Sequence, residues 1–380
     1  MNSTTQLALP QFESLVPPER ILLGPGPSMA HPRVLEAMRQ PLVGHLDPYF
    51  LEVMDQIQDM LRYVFQTSNS LTLAVSGTGT AAMETAVANM VEPGDPVLVC
   101  ANGYFGLRIA EMVKCYGGIL TILERPWGDV FTLDEIEHAL QERRAKVVAI
   151  VQAETSTGAH QPVEGLAKLV HAQGGVLIVD AVTSLGGLPL QVDDWELDVV
   201  YSGTQKCLGC PPGLGPITLS PRAVERLHKR RTPVANWYLD LNGLEKYWGA
   251  DRVYHHTAPI SAFYGLHEGL RLVIEEGLAL RWERHRHNAD LFWQGLDRNG
   301  LECHVPVDYR LPSLTTVRIP NGVDDIQVRK RLLDEYNIEI AGGFGELKGI
   351  VWRIGLMGHS SRPENVELLL GALKEILGAD

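Results

Sequence analysis

A chain of 380 residues with 46 acidic and 33 basic side chains has a formal net charge of −13, which argues against nucleic acid or an anionic membrane surface as its main partner. Small anionic substrates stay open, because local positive groups bind them within an acidic protein. The length suffices for a large core, divided between one larger and one smaller domain. No apolar run approaches membrane-spanning length, MNSTTQLALPQFESL at the start lacks a basic leader and a signal-like core, and residues 378–380 carry no Ser-Lys-Leu address; the expected compartment is the cytoplasm.

Residues 1–18 are polar, end in Pro17-Pro18 and read as an arm without a fold of its own. LLGPGPS follows at 22–28, where two Gly-Pro pairs impose a rigid backbone poor in side chains. Phe50, Met54, Ile57 and Leu61 recur at helical spacing after Gly44-His45-Leu46-Asp47. His45 serves either a site across a dimer interface or a local loop hydrogen bond.

Residues 71–75 read as a strand and 81–91 as a helix, with Ser76-Gly77-Thr78-Gly79-Thr80 between them. A glycine turn opening a helix presents backbone N–H groups at the positive end of the helix dipole, a ready phosphate site. Another strand at 97–101 leads into Asn102-Gly103-Tyr104-Phe105-Gly106 and a helix to residue 116. Tyr104 and Phe105 are either core aromatics or a stacking surface for a ligand, and the flanking glycines suit the second. The strand at 147–152 runs into Glu154-Thr155-Ser156-Thr157-Gly158, and a helix at 163–172 returns the chain to the sheet.

The stretch 176–213, VLIVDAVTSLGGLPLQVDDWELDVVYSGTQKCLGCPPG, organises the rest. One apolar run ends on Asp180; a second, at 197–201, runs into Ser202-Gly203-Thr204-Gln205-Lys206. Each reads as a buried strand whose end carries chemistry. In an open parallel sheet the ligand lies beyond the carboxyl ends of the strands, so Asp180 and Lys206 are expected to face one crevice. A pyridoxal 5′-phosphate enzyme needs this pair: a lysine to hold the aldehyde as a Schiff base and a carboxylate to keep the pyridine nitrogen protonated. Taken singly, each reads better as a helix-capping Asp or a surface Lys; the pair in this setting reverses that. Alternating strands and helices predict an α/β fold with a mostly parallel sheet covered on both faces. Five cysteines suit a reducing compartment. Cys207 and Cys210 have C-x-x-C spacing, but no second pair stands at zinc-ligand spacing, and they read as small residues beside a crowded site.

Asp180-Ala181-Val182, SLGG, YSGTQK, the early LLGPGPS and the late VWRIGLMG, in this order, resemble the class V aminotransferases of pyridoxal phosphate fold type I, in particular the alanine:glyoxylate (serine:pyruvate) branch. The resemblance implies domains at 1–18 (arm), 19–276 (large, cofactor-binding) and 277–380 (small, α+β), and a homodimer with shared active sites. It implies cofactor contacts from Gly77, Thr78, Gly79, Phe105, Ser156, Asp180, Val182, Gln205 and Lys206. Ser156 would bond the cofactor or orient Asp180. Phe105 would stack on the ring, where the family commonly has tryptophan. Thr80 departs from the histidine of animal members. Tyr254 and Thr257 would reach across the dimer to the neighbour's phosphate, Arg353 would bind the substrate carboxylate, and the loop at Gly26 would wall a small pocket. The implied reaction moves an amino group from a small amino acid, alanine before serine, to glyoxylate. Cysteine desulfurases of the same fold place histidine before the lysine, where Gln205 stands here; a regulator that senses the cofactor would need a DNA-binding module for which the arm leaves no room.

Beyond Lys206, a strand is expected at 217–219, and Lys229-Arg230-Arg231 reads as a solvated face. His255 and His256 are adjacent, so they point differently and do not read as a metal pair. A long helical pattern covers 265–298, its charged segment 281–287 expected to face solvent. Strands at 315–319 and 351–354 and helices at 324–336 and 363–377 complete the small domain, with a flexible Gly342-Gly343-Phe344-Gly345 before Arg353.

Overall fold

A computed structural model describes residues 12–378. Residues 1–11 of the expected arm and the last two residues lie outside that range; residues 12–18 form no helix or strand, and Phe12, Leu15 and Val16 are exposed.

The larger layer is a seven-stranded sheet of β1 (Leu71–Ser76), β2 (Pro96–Ala101), β3 (Ile119–Glu124), β4 (Val147–Val151), β5 (Val176–Asp180), β6 (Val199–Tyr201) and β7 (Leu214–Leu219). Its order is β1-β7-β6-β5-β4-β2-β3. Only β7 runs against its neighbours, pairing antiparallel with both β1 and β6. The other six therefore end at one edge of the sheet. The central strands β4 and β5 are buried along their whole length, as expected for strands covered by helices on both faces. Two of those helices start just past strand ends: α1 (Gly79–Met90) after β1 and α2 (Tyr104–Cys115) after β2.

A smaller antiparallel sheet orders β8 (Leu314–Arg318), β10 (Val351–Gly355) and β9 (Ala341–Gly342), with β10 in the middle. A second apolar cluster, including Phe292, Trp293, Leu332, Trp352 and Leu369, packs behind it. Residues 21–22 pair in parallel with 338–339, and the Gly355 amide donates to the Leu23 carbonyl oxygen at 2.8 Å. The segment that opens the expected large-domain range thus joins the smaller layer before it crosses to the site.

Three expectations need correction. The long helical pattern is two helices, α3 (Ile260–Glu276) and α4 (Leu278–Arg298), because Gly277 between them has φ +80°, which ends a helix. Residues 281–287 do not all face solvent: Arg281 is 6% exposed and His285 fully buried. Arg230 is half-buried, donating to the Asn89 and Val91 carbonyl oxygens at 2.8 and 3.0 Å and so serving the carboxyl end of α1. Around Arg230 and Arg281, orphan carbonyl oxygens draw a guanidinium inward, which charge pattern alone does not reveal. Among the described residues no helix is long and apolar enough to cross a membrane.

Candidate active site

The loops beyond the carboxyl ends of β1, β2, β4, β5 and β6 enclose a cavity of about 200 Å³. Gly79, Phe105, Asp180, Val182, Gln205 and Lys206 all line it. Lys206 is 8% exposed, and its Nζ donates to the Pro25 carbonyl oxygen. Ser28 secures the backbone: its amide donates to the Gln205 carbonyl oxygen at 2.9 Å and its hydroxyl to that of Lys206 at 2.8 Å. The Gly-Pro loop therefore passes directly over the amine. A Cβ on Gly26, whose φ is +115°, would lie 2.6 Å from Nζ. Burial pushes the Lys206 amine down to about 8, with the Arg353 charge acting in the same sense.

Asp180 is buried at the end of β5, accepting from the Tyr201 hydroxyl at 2.8 Å and the Val182 amide at 2.9 Å. Burial raises its carboxyl to about 6, against the pull of those two donors. Arg108, one helical turn after Phe105 on α2, also lines the cavity, and its positive charge favours the Asp180 carboxylate. Its guanidinium lies 5.0 and 4.8 Å from the ring centroids of Tyr104 and Phe105, and it donates to the Thr80 hydroxyl.

At the amino end of α1, Thr78 is the N-cap yet its hydroxyl makes no capping bond. The amides of the first turn, Gly79 and Thr80, have no partner within the helix by construction. Gly77 closes the turn by donating to the Gly213 carbonyl oxygen at 2.9 Å.

Ser156 is the site expectation that the geometry corrects. Its hydroxyl donates to Glu154 Oε1 at 2.6 Å and accepts from the Tyr104 amide at 2.9 Å, so it neither faces the cavity nor orients Asp180. Its neighbour Thr155 lines the wall instead. The sharp turn after β4 puts successive side chains on opposite sides, which composition cannot phase. Glu154, passed over in the sequence, is fully buried and accepts from the Ser156, Phe105 and Gly106 amides at 3.0, 3.1 and 3.4 Å. It caps α2 from another loop, and burial raises its carboxyl to about 7.

Tyr254 and Thr257 are exposed, 3.4 Å apart between their hydroxyl oxygens, and do not line the cavity of their own chain. Arg353 sits at the centre of β10, half-buried, with Nε donating to the Gly342 carbonyl oxygen at 2.8 Å. Cys207 and Cys210 are buried free thiols whose Sγ atoms lie against the Thr183 and Gly265 carbonyl oxygens at 3.2 and 3.5 Å. Behind Lys206, Arg281 donates to the Cys207 carbonyl oxygen at 2.6 Å and to that of Gly186 at 3.0 Å, and pairs with Glu276 at 2.6 Å. It ties the loop carrying Lys206 to the loop that follows Asp180. A lone arginine in a charged run gave no sign of this.

These residues fit pyridoxal 5′-phosphate. The Thr78 hydroxyl, which makes no capping bond, and the orphan amides of the first turn of α1 stand at one end as donors suited to a phosphate, and an amine and a carboxylate line the same space.

The class-V aminotransferase family model matches residues 20–350. The (S)-ureidoglycine–glyoxylate transaminase of Bacillus subtilis is 39% identical, with 96% of this chain and 92% of the relative covered. The alanine–glyoxylate aminotransferase of Rattus norvegicus is 40% identical over 98% of this chain and 92% of its own. Among solved structures, the alanine–glyoxylate aminotransferase of Nostoc sp. superposes with a TM-score of 0.96 at 56% identity, covering 99% of both chains.

Proposed function

We propose, for a chain that belongs to the class-V aminotransferases, that it moves the amino group of L-alanine to glyoxylate, yielding pyruvate and glycine, in two half-reactions at one site. The observation that carries this reading is the shared small cavity: Lys206 and Asp180 line about 200 Å³ of space, and the Gly26 backbone presses on the amine. The Gly26 backbone, which carries no side chain, stands close over the amine, and this favours a donor with a small side chain. The relatives named for glyoxylate supply the acceptor.

The cofactor is pyridoxal 5′-phosphate. Bound, it supplies an electron sink for the charge left when the substrate α-proton departs. Lys206 holds its aldehyde covalently between turnovers. With the donor in place, the Lys206 Nζ would be free to act as the base that takes up and returns the substrate α-proton, in one direction for the amino acid and in the other for glyoxylate. A pKa near 8 leaves that amine able both to accept and to release a proton close to neutrality. Asp180, steadied by Tyr201 and Val182, holds the ring-nitrogen proton. Phe105 would stack on the ring, the Gln205 side-chain N–H would donate to a ring or phosphate oxygen, and Gly77, Thr78 and Gly79 would take the phosphate. Thr155 takes the wall position first expected of Ser156. Arg353 pairs with the substrate carboxylate through its terminal nitrogens. Tyr254 and Thr257, exposed on their own chain, serve the phosphate of a second copy in a homodimer.

The test is the visible spectrum of the holoenzyme with donor and no oxo acid. Alanine should bleach the cofactor band and glyoxylate restore it. Serine or (S)-ureidoglycine bleaching far faster than alanine would reassign the donor, and a Lys206→Ala protein completing both half-reactions at the normal rate would overturn the mechanism.

A further inference from the structure

Arg353 is held by more than its strand. Among the described residues its guanidinium makes one hydrogen bond, from Nε to the Gly342 carbonyl oxygen, leaving both terminal nitrogens free. Its central carbon also lies 5.3 Å from the ring centroid of Phe344, two residues further along the same loop. The Phe344 ring in turn meets Tyr104 of α2 edge to face, centroids 4.2 Å apart at 82°. Tyr104 lies under Arg108, and Arg108 over Phe105. A continuous row of guanidinium and aromatic groups therefore runs Arg353, Phe344, Tyr104, Arg108, Phe105, from the smaller layer to the wall of the cofactor cavity.

The loop has little freedom to place Phe344 elsewhere. A Cβ on Gly343 would lie 1.8 Å from the Leu347 carbonyl oxygen, and one on Gly345 2.4 Å from the Trp127 ring. The loop is pressed against the larger layer at two points, Tyr104 and Trp127, while Arg353 is gripped from the smaller one.

We propose that Phe344 is a positioning residue for the substrate carboxylate: its ring face sets the tilt of the Arg353 guanidinium, while the Gly342 carbonyl oxygen fixes its edge. This rests on the reading of Arg353 as the carboxylate fork. A planar fork pairs with a carboxylate through two parallel bonds only when its plane is set in advance, so the loss on removing the ring falls on substrate binding. Both substrates, amino acid and oxo acid, carry that carboxylate, so both are affected alike. Cofactor capture, which depends on Lys206 and the phosphate loop, is untouched.

The experiment is steady-state kinetics of the holoenzyme with the donor and acceptor selected by the spectral assay, on Phe344→Leu, Phe344→Tyr, Arg353→Ala and Phe344→Leu/Arg353→Ala. Leucine keeps the apolar volume but has no ring face; tyrosine keeps the face. Phe344→Leu should raise KM for both substrates about tenfold, the size of a partly desolvated cation–π contact, with kcat within about twofold and the visible band and cofactor retention unchanged. Phe344→Tyr should restore both KM values, and in the Arg353→Ala background the leucine change should add nothing. Wild-type KM values in Phe344→Leu, beside raised ones in Arg353→Ala, would overturn this inference and leave the Arg353 assignment standing. Equal losses from Phe344→Leu in both backgrounds would reduce Phe344 to a packing residue. Unchanged KM values in Arg353→Ala would overturn the carboxylate fork itself, and this inference with it.

Discussion

Stripped of cofactor, the protein should recapture pyridoxal 5′-phosphate at a rate that climbs with pH and levels off near 8. The cause is burial of Lys206, which brings its amine from 10.5 to about 8, with Arg353 pushing the same way and Cys207 and Asp180 opposing. Only the neutral amine attacks the aldehyde. At pH 7.5 a group with pKa 8 is about one quarter neutral, and one with pKa 10.5 about one part in a thousand, a gain of about 200-fold from the shift, of which burial is the largest cause. The same shift has a stability consequence. Between 10.5 and 8 the unfolded chain binds the proton that the native lysine refuses, so this group's contribution worsens as pH falls through that window and is constant below it. Rapid mixing of apoprotein with pyridoxal phosphate, followed at the visible band from pH 6 to 10, measures the rate profile. The logarithm of the rate should rise with unit slope to about pH 8 and then flatten. A rise continuing to pH 9.5, or the same profile in Lys206→Ala, would refute the argument. Arg353→Ala should move the break upward.

Other perturbations probe the surroundings. Arg281→Met leaves the Gly186 and Cys207 carbonyl oxygens without their donor and removes one of the two arginines on the half-buried Glu276, Arg284 remaining, and should cost about 2 kcal/mol by denaturant unfolding, with Arg281→Lys recovering part; a loss within experimental error would mean the clamp contributes nothing. Burial lifts the Glu154 carboxyl from 4.5 to about 7, so its contribution to stability is lost as pH rises through that window. Unfolding midpoints at pH 5 and 8 should therefore differ less in Glu154→Gln than in the parent. Gly26→Ala puts a methyl 2.6 Å from Lys206 Nζ at φ +115°; with about 1–2 kcal/mol of backbone strain, both half-reactions should slow together about tenfold, and single-turnover traces in which only one slows would contradict that. Tyr254→Ala should weaken cofactor retention in a sedimenting dimer while leaving the pH break of capture in place; unchanged retention would remove Tyr254 from the neighbour's phosphate.

What the sequence determined by itself was local. A short, β-branched apolar run bounded by turn residues reads as a strand buried on both faces, so β5 and Asp180 at its end were legible. A turn of small residues between an apolar strand and an apolar helical stretch marks a helix amino terminus, so 76–80 was legible too. Lys206 followed from the same reasoning one strand later. Tertiary structure alone decided what depends on phase and on distance between loops. Ser156 and Thr155 are neighbours in one turn, and only the path of the chain after β4 says which faces the cavity. Glu154 caps a helix that begins 50 residues earlier in the chain, at Tyr104. Arg281 looks like one more surface charge until its guanidinium is found beneath the Lys206 loop, drawn inward by the Cys207 and Gly186 carbonyl oxygens. Phe344 and Tyr104 meet across two layers, 240 positions apart in the chain. Hydrophobic periodicity encodes which face is buried. The partners of a buried charge or ring are set by folding, because burial without a partner is too costly to persist and the nearest suitable group is wherever the packed layers bring it.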